Sequence, residues 1–219
     1  MKFVYVIFHK PYGCLSQFTG ENGQKTLSNF QLPKNIYTVG RLDKDSEGLL
    51  LLTNNGQVQH LLSHPKHEHK KTYWVQVEGD IEEESINQLQ KGVVIKGYRT
   101  KPCKVKKIMA PVVFPREPPI RERRNIPTSW MEITLVEGKN RQVRRMTANV
   151  GYPTLRLIRI QIENLNLGKL EPGSWKFVRE DELWSTPSKL KKQEKKKHSI
   201  GKKERVVRRK NRLNRSKRK

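Results

Sequence analysis

The hydrophobic positions of this chain are grouped in short runs, most of which have the length and composition of β-strands. Seven segments fit this pattern: 3–8, 49–53, 72–77, 93–95, 105–109, 130–136 and 155–162. Three segments instead repeat their apolar residues at helical spacing, namely 57–63, 82–90 and 140–150. Because several strand runs follow one another without an intervening helix, we predict an α+β fold. We expect a largely antiparallel mixed sheet with flanking helices.

One acidic residue, Asp43, lies where a turn leads into the most apolar of these strands. A carboxylate beside an apolar run is expected to be desolvated, so it is either protonated or kept ionised by a nearby cation. Asp43 is therefore the first candidate for chemistry. The ordinary alternative is an aspartate that forms or caps a turn.

The same segment also has part of the spacing of a calcium-binding loop. Asp43, Asp45, Glu47 and Gly48 fall near its first, third, fifth and sixth positions. Its twelfth position requires a bidentate glutamate, but here it is Asn54, and residues 49–53 within the loop are typical of a strand. The sequence therefore argues against calcium.

A second charged segment leads into the predicted helix 140–150. Asn140 is a candidate N-cap, and Arg141, Arg144 and Arg145 gather near the helix start. Arginines beside free backbone N–H groups are typical of an anion site, and on a chain this basic the expected anion is a phosphate, which Arg144 and Arg145 are predicted to contact. A solvated basic face is the alternative. The apolar stripe of this helix consists of Val143, Met146 and Val150.

Taken in order, these segments resemble the RsuA/RluE family of ribosomal RNA pseudouridine synthases. The resemblance rests on residues 40–53, 71–73 and 137–146, with further similarity at 9–13 and 151–159. It extends over about residues 3–179, and motifs that recur in the same order are together more specific than any single one. The insert 115–130 resembles the E-type, large-subunit branch. Many relatives carry an N-terminal S4 domain, and we expect none here.

The resemblance implies a pseudouridine-synthase-like fold and an isomerase that acts during ribosome biogenesis. Such enzymes detach uracil from its ribose, turn it and rejoin it through carbon, with one ionised aspartate and without metal or cofactor. Asp43 matches that aspartate. Three roles stay open for it: attack on the sugar, addition to the base, or removal of a ribose proton.

Other matches of the resemblance concern the substrate. Arg141 matches the basic residue that pairs with the catalytic aspartate, which would keep Asp43 ionised and could fill the place of an extruded nucleotide. Tyr73 matches the aromatic residue that stacks on the base. Val143 matches an aliphatic residue that packs around the site, and Arg41 is assigned to the substrate as well.

The first motif has a supporting role in this comparison. Lys10 and Pro11 match residues that mainly hold the catalytic loop in place. We therefore do not expect either of them to be catalytic.

The charge of the chain agrees with an RNA substrate, since its formal net charge is +25 over 219 residues. Residues 188–219 contain 17 Lys and Arg and 2 Glu, a net charge of +15, while the other 29 basic and 19 acidic residues give +10. The tail has too few apolar residues to fold alone, so we predict a catalytic domain over 1–187 and a disordered tail over 188–219. The tail is expected to anchor RNA or to act as a localisation signal.

The remaining features of the sequence do not alter the predicted fold or function. The proline-rich segment 111–127 is too interrupted for regular structure and is interpreted as a surface loop near the RNA, or as a spacer. Two isolated cysteines fit reduced thiols in a cytoplasmic protein. No segment has the length of a membrane span, and nothing implies a protein partner, so we expect a monomer. Four clustered histidines lack a Glu or Cys to complete a zinc site: His60, His64, His67 and His69.

Two further classes of function are compatible with parts of the sequence. A non-catalytic ribosome-assembly factor could share the fold, but it would not need Asp43, Tyr73 and Arg141 together. A metal-dependent nuclease could use Asp43, Asp45 and Glu47, and it would cleave its RNA.

Overall fold

Strands and helices follow one another along the chain in the computed structural model, which describes residues 2–121 and 123–184. The strands are β1 (Tyr5–Lys10), β2 (Tyr37–Thr38), β3 (Glu47–Thr53), β4 (Lys71–Glu78), β5 (Val94–Ile95), β6 (Tyr98–Arg99), β7 (Lys104–Ile108), β8 (Thr128–Leu135), β9 (Thr154–Ile162), β10 (Leu165–Asn166) and β11 (Trp175–Phe177). The α-helices are α1 (Gly56–Ser63), α2 (Glu83–Lys91) and α3 (Gln142–Asn149). Short 3₁₀ helices lie at Leu27–Asn29, Pro65–His67 and Glu180–Leu183.

The main sheet has the spatial order β11-β1-β3-β9-β4-β8-β7, with β2 paired to β3 and β10 paired to β9. Within the described residues, β3 and β9 pair in parallel, whereas the other ladders of named strands are antiparallel. The predicted mixed, largely antiparallel sheet is therefore confirmed.

Each strand and helix predicted from periodicity is present, with bounds that differ from the prediction by at most two residues. The strands β2, β6, β10 and β11 were not predicted. They contain two or three residues each, which is too short for a periodic pattern, and their pairing to neighbouring strands defines them. No helix among the described residues is long and apolar enough to span a membrane.

Strand β3 lies in the middle of the sheet, and each of its residues is buried. A strand with both faces covered has a continuous apolar sequence rather than an alternating one, which explains its four leucines. Leu50 and Leu52 pack with Val6, Phe8 and Leu27 in one hydrophobic core. This packing fixes the start of β3, and with it the turn that holds Asp43.

A second core joins α3 to the sheet. Val143 and Met146 of α3 belong to the same buried cluster as Tyr73 and Val75 of β4. The helix start, with its arginines, is thereby brought to the same region as the Asp43 turn.

Gly48 permits the close approach of β3 and β9. Its φ is +102°, and a Cβ atom there would lie 2.3 Å from the carbonyl oxygen of Arg159. Because both the conformation and the space exclude a side chain, glycine is required where the turn enters β3.

The insert between β7 and β8 has no strand or helix in its described residues, as predicted. Arg116 attaches it to the body: its guanidinium lies 4.2 Å from the ring centre of Tyr12 and donates to the carbonyl oxygens of Pro118 (2.7 Å) and Leu155 (3.4 Å). Its proximity to RNA stays a prediction. The predicted tail, 188–219, lies outside the described residues.

Candidate active site

The Asp43 turn is held from below by a buried lysine. Ser46 donates its backbone N–H to the Asp43 carbonyl oxygen at 3.1 Å, which closes the turn. Lys10 is fully buried, and its ammonium donates to the carbonyl oxygens of Cys14 (2.7 Å) and Lys44 (3.4 Å). Burial lowers the pKa of Lys10 to about 8. Lys10 therefore supports the loop and does not face the cleft.

Asp43 itself is less desolvated than the sequence argument expected, since 32% of its side chain is exposed. The desolvated carboxylate is Glu47, four residues later, with 3% of its side chain exposed. Arg156 binds it through two hydrogen bonds of 2.9 and 2.8 Å and also donates to the Phe114 carbonyl oxygen at 2.9 Å. The desolvation argument was therefore right in kind but applied to the wrong residue. Glu47 is separated from the leucine run by Gly48 alone, and this proximity was the signal in the sequence that could have identified it.

Arg141 contacts two carboxylates of the turn. Its direct hydrogen bonds go to Asp45, at 2.8 and 2.7 Å, while its Nη1 lies 3.9 Å from Oδ2 of Asp43. The predicted pairing of Arg141 with Asp43 is present as an ion pair of 3.9 Å, but the hydrogen bonds of the guanidinium go to Asp45, which the prediction did not include. Burial alone raises the pKa of Asp45, but the hydrogen bonds from Arg141 and the charge of Arg144 outweigh it, so this pKa is below its usual value.

The start of α3 differs from the prediction. Arg141, not Asn140, is the N-cap residue, with a left-handed conformation of φ 51° and ψ 34°, and its side chain does not cap the helix. The Asn140 side chain is occupied elsewhere, since its Oδ1 accepts from Arg145 at 2.7 Å. The predicted Asn140 cap is wrong.

The three arginines do not form one free phosphate site. Arg144 donates to the carbonyl oxygens of Asp45 (2.6 Å) and Thr154 (3.3 Å), and only 12% of its side chain is exposed. The predicted phosphate contact of Arg144 is therefore not supported, because its guanidinium ties the turn to β9. For Arg145, which is half-buried, a phosphate contact stays a prediction.

A cleft of about 670 Å³ opens above the turn, within the size range of small-molecule sites. It is lined by the five residues that sequence analysis assigned to the reaction or the substrate: Arg41, Asp43, Tyr73, Arg141 and Val143. Tyr73 and Val143 are buried and form part of its wall, whereas Arg41 is exposed. Arg144 and Arg145 are not among the lining residues.

Three residues that sequence analysis did not single out line the same cleft. Ser16 fixes the residue before Asp43, because its hydroxyl donates to the Leu42 carbonyl oxygen at 2.8 Å and accepts from the Leu42 N–H at 3.0 Å. Lys71 and Arg159 are cations from neighbouring strands. Lys71 begins the 71–73 motif and Arg159 ends the similar segment 151–159, but neither was assigned a role from the sequence.

Comparison with known proteins decides the family. A family model described as RNA pseudouridylate synthase matches residues 4–149. The chain belongs to the RNA pseudouridine synthases. These enzymes are isomerases that convert uridine to pseudouridine, and the chain has their fold. Ribosomal large subunit pseudouridine synthase E of Vibrio parahaemolyticus is 53% identical over 79% of this chain and 73% of the relative.

Two more comparisons agree. The protein of the same name from Xanthomonas campestris is 49% identical over 78% of this chain and 93% of the relative. A solved structure titled "Crystal structure of pseudouridylate synthase" superimposes with a TM-score of 0.68 at 28% identity. It covers 83% of this chain and 73% of the solved chain.

The alternative chemistries find little support at this synthase site. Asp45 and Glu47, two of the three carboxylates that a nuclease would use, are bound by arginines. Among residues 2–121 and 123–184, no three His, Cys, Asp or Glu side chains are arranged to hold a metal ion. One of the clustered histidines, His69, contacts Glu163 at 2.9 Å.

Proposed function

We propose that this synthase isomerises a specific uridine of large-subunit ribosomal RNA during ribosome biogenesis, with Asp43 as its catalytic carboxylate and without a cofactor. The observation that carries the proposal is the convergence of Asp43, Tyr73, Arg141 and Val143 on one cleft. The names of the E-type relatives, at 53% and 49% identity, support large-subunit ribosomal RNA as the substrate.

The environment of Asp43 supports its assignment as the reacting group. Of the carboxylates at positions 43, 45 and 47, it is the one that keeps no arginine within 3.5 Å. Its carboxylate is at the cleft surface and has Arg141 close enough to stabilise its charge without occupying both oxygens. It is therefore available to the ribose or the base of a bound uridine.

The remaining side chains have matching roles in the proposal. The target uridine leaves its stack and enters the cleft, since chemistry on a base inside a duplex is sterically blocked. Tyr73 stacks on the uracil, Val143 closes the apolar wall, and Arg41 and Arg141 stabilise the nucleotide at the cleft entrance. The net positive charge of the chain attracts the RNA. The enzyme acts as a monomer in the cytoplasm.

The test is to map pseudouridines in ribosomal RNA from cells with and without this protein. We expect one or a few large-subunit positions to lose pseudouridine and to regain it with the parent gene. A gene for Asp43→Asn should produce a folded protein that does not restore them. Restoration by Asp43→Asn would contradict the catalytic role, and loss confined to small-subunit or transfer RNA would contradict the substrate.

A further inference from the structure

Two cations line the cleft beside the residue proposed to stack on the base. Lys71 precedes Tyr73 by two positions on β4, and side chains two residues apart on a strand point to the same face. Arg159 on β9 is the cross-strand partner of Tyr73, and paired residues also share a face. Lys71, Tyr73 and Arg159 therefore form one patch of the cleft wall.

The donors of this patch are incompletely used. Arg159 is only 3% exposed; its Nε donates to the Leu49 carbonyl oxygen at 2.8 Å, but its buried Nη2 finds no acceptor among the described residues. The Lys71 ammonium, which has three N–H groups, donates to the His69 carbonyl oxygen at 3.1 Å. Buried donors without acceptors are costly, so an acceptor from a ligand would be favourable here.

The patch also has unbalanced charge. Neither Lys71 nor Arg159 forms a salt bridge within the part of the chain that the structure describes. Burial, and then the charge of the neighbouring Arg159, lower the pKa of Lys71 to about 8, even though Glu163 acts in the opposite direction. Two adjacent cations would be stabilised by a ligand that carries negative charge.

We propose that Lys71 and Arg159 bind the carbonyl oxygens of the target uracil and stabilise the negative charge that the ring acquires during the reaction. This inference rests on the proposed function, in which the uridine enters this cleft and Asp43 reacts with it.

Each of the three routes open to Asp43 places charge on those oxygens. When the C1′–N1 bond breaks, its electron pair passes to N1 and is delocalised onto O2 and O4. The sugar is then balanced by a new bond from C1′ to an Asp43 oxygen, or by transfer of the C2′ proton to Asp43. If Asp43 instead adds to C6 of the ring, the C5–C6 π electrons move towards O4. Cations at the ring oxygens favour all three.

Burial distinguishes the base from the RNA backbone as the ligand. The phosphates on either side of the target uridine remain joined to the rest of the RNA, so they are held near the cleft entrance. An extruded base is the part of the nucleotide that can reach a side chain as buried as Arg159. A phosphate ligand is therefore the alternative that the experiment must exclude.

The same arrangement would select uracil over cytosine. Lys and Arg can donate hydrogen bonds but cannot accept them, and cytosine has an amino donor where uracil has the O4 acceptor. We therefore expect RNA with cytidine at the target position to bind the parent enzyme about 10-fold more weakly, within the range for one misread base. Lys71→Met should reduce this preference.

The experiment measures single-turnover isomerisation by Lys71→Met, Lys71→Arg and the control Lys70→Met, which changes an exposed neighbour. The substrates carry uridine, 4-thiouridine or 2-thiouridine at the target position, because sulfur is the weaker acceptor. Lys71→Met should be about 100-fold slower on uridine, the scale for losing one oxyanion donor. Lys70→Met should stay within about twofold.

The decisive measurement is whether the effect of replacing a ring oxygen by sulfur depends on the residue at position 71. Replacing O4 or O2 by sulfur changes the intrinsic reactivity of the ring equally for all variants, so a contact appears as a difference between them. For at least one of the two oxygens, sulfur should slow the parent and Lys71→Arg at least about 10-fold more than Lys71→Met.

Equal sulfur effects in the parent and Lys71→Met, for both oxygens, would overturn the proposal. The proposal would also be overturned if replacing a flanking phosphate by a neutral methylphosphonate, instead of a ring oxygen by sulfur, slowed the parent more than Lys71→Met. That result would show that Lys71 contacts a phosphate. If Lys71→Met does not fold, as judged by circular dichroism, Lys71→Arg is compared with the parent instead. The proposed contact would be contradicted if sulfur at the target base slowed the parent but not Lys71→Arg. A parent enzyme that modifies no large-subunit RNA would instead refute the proposed function.

Discussion

Two carboxylates of the segment 43–47, Asp45 and Glu47, are each paired with an arginine, but in opposite environments. Asp45 and Arg141 are 29% and 42% exposed, and Arg141 lines the cleft. Glu47, at the start of β3, and Arg156, in β9, are 3% and 9% exposed. An exposed pair contributes little to stability and can rearrange, whereas a buried pair cannot lose one partner without leaving a buried charge. Two positions in the same short segment therefore have different roles. The exposed Asp45–Arg141 pair can rearrange near the proposed catalytic residue, whereas the buried Glu47–Arg156 pair stabilises the fold.

The largest effect should come from Asp43, which lies at the cleft end and has no short ion pair. Asp43→Asn keeps the shape but removes the charge, so we expect turnover to fall at least about 1000-fold, as for a central catalytic group. The free energy of unfolding should change by less than about 0.5 kcal/mol. Tritium release from C5-labelled uridine in RNA, together with urea unfolding, measures both. Turnover above a tenth of the parent would refute the assignment.

Glu47→Gln should have the opposite signature. It leaves the Arg156 charge buried and unpaired, so we expect a loss of about 3 kcal/mol in the free energy of unfolding. Replacing both partners, as Glu47→Leu with Arg156→Met, should recover part of that loss because no charge stays buried.

The matched control for this prediction is Glu171→Gln, which removes an exposed carboxylate and should change stability by less than about 0.5 kcal/mol. Urea denaturation curves compare the parent with these three variants. A Glu47→Gln protein as stable as this control would mean that the buried pair is not a structural support.

Arg141→Met should mainly affect turnover. It removes the hydrogen bonds to Asp45 and the cation 3.9 Å from Asp43, so the turn is no longer held in position. We expect a 10- to 100-fold loss, roughly the effect of a 1 Å misplacement at an active site. Arg141→Lys should recover part of the rate, because it restores the charge but not the forked geometry. Equal rates for the Met and Lys variants would show that the charge itself is unimportant.

Asp45→Asn should give the smallest effect, a loss of about 1 kcal/mol or less in stability at neutral pH. Because the pKa of Asp45 is lowered in the folded state, its contribution is complete above the unfolded value of about 3.9 and is lost as the pH falls through the folded value. The stability difference between parent and variant should therefore be constant from pH 6 to 8 and shrink below about pH 4. A difference that grows in acid would contradict the ion pair.

The periodicity of the sequence was sufficient to predict the long elements. Four leucines in a row and the alternation in 72–77 specify strands that are buried or half-buried whatever their neighbours are, because burial of apolar side chains dominates folding. The ordered motifs then identified Asp43, Tyr73, Arg141 and Val143, and the structure brings these four to one cleft.

The hydrogen-bond and ion-pair partners of the polar side chains could not be predicted in the same way. Whether Arg141 meets Asp43 or Asp45, or whether Arg144 is free for phosphate, depends on ångström-scale distances between segments about 100 residues apart. Similarly, Asn140 has the chemistry of an N-cap, but its side chain is bound by Arg145, and the helix begins later. Local propensity could not reveal that competition.

The sequence by itself determined the class of fold, the family and the aspartate proposed to react, because these depend on composition and order along the chain. Only the tertiary structure decided which carboxylate is buried, which arginine ties it, and that Lys71 and Arg159 stand beside Tyr73. The physical reason is that burial and electrostatic pairing are properties of the space between segments. Sheet order and helix packing create that space, and no single stretch of sequence encodes it.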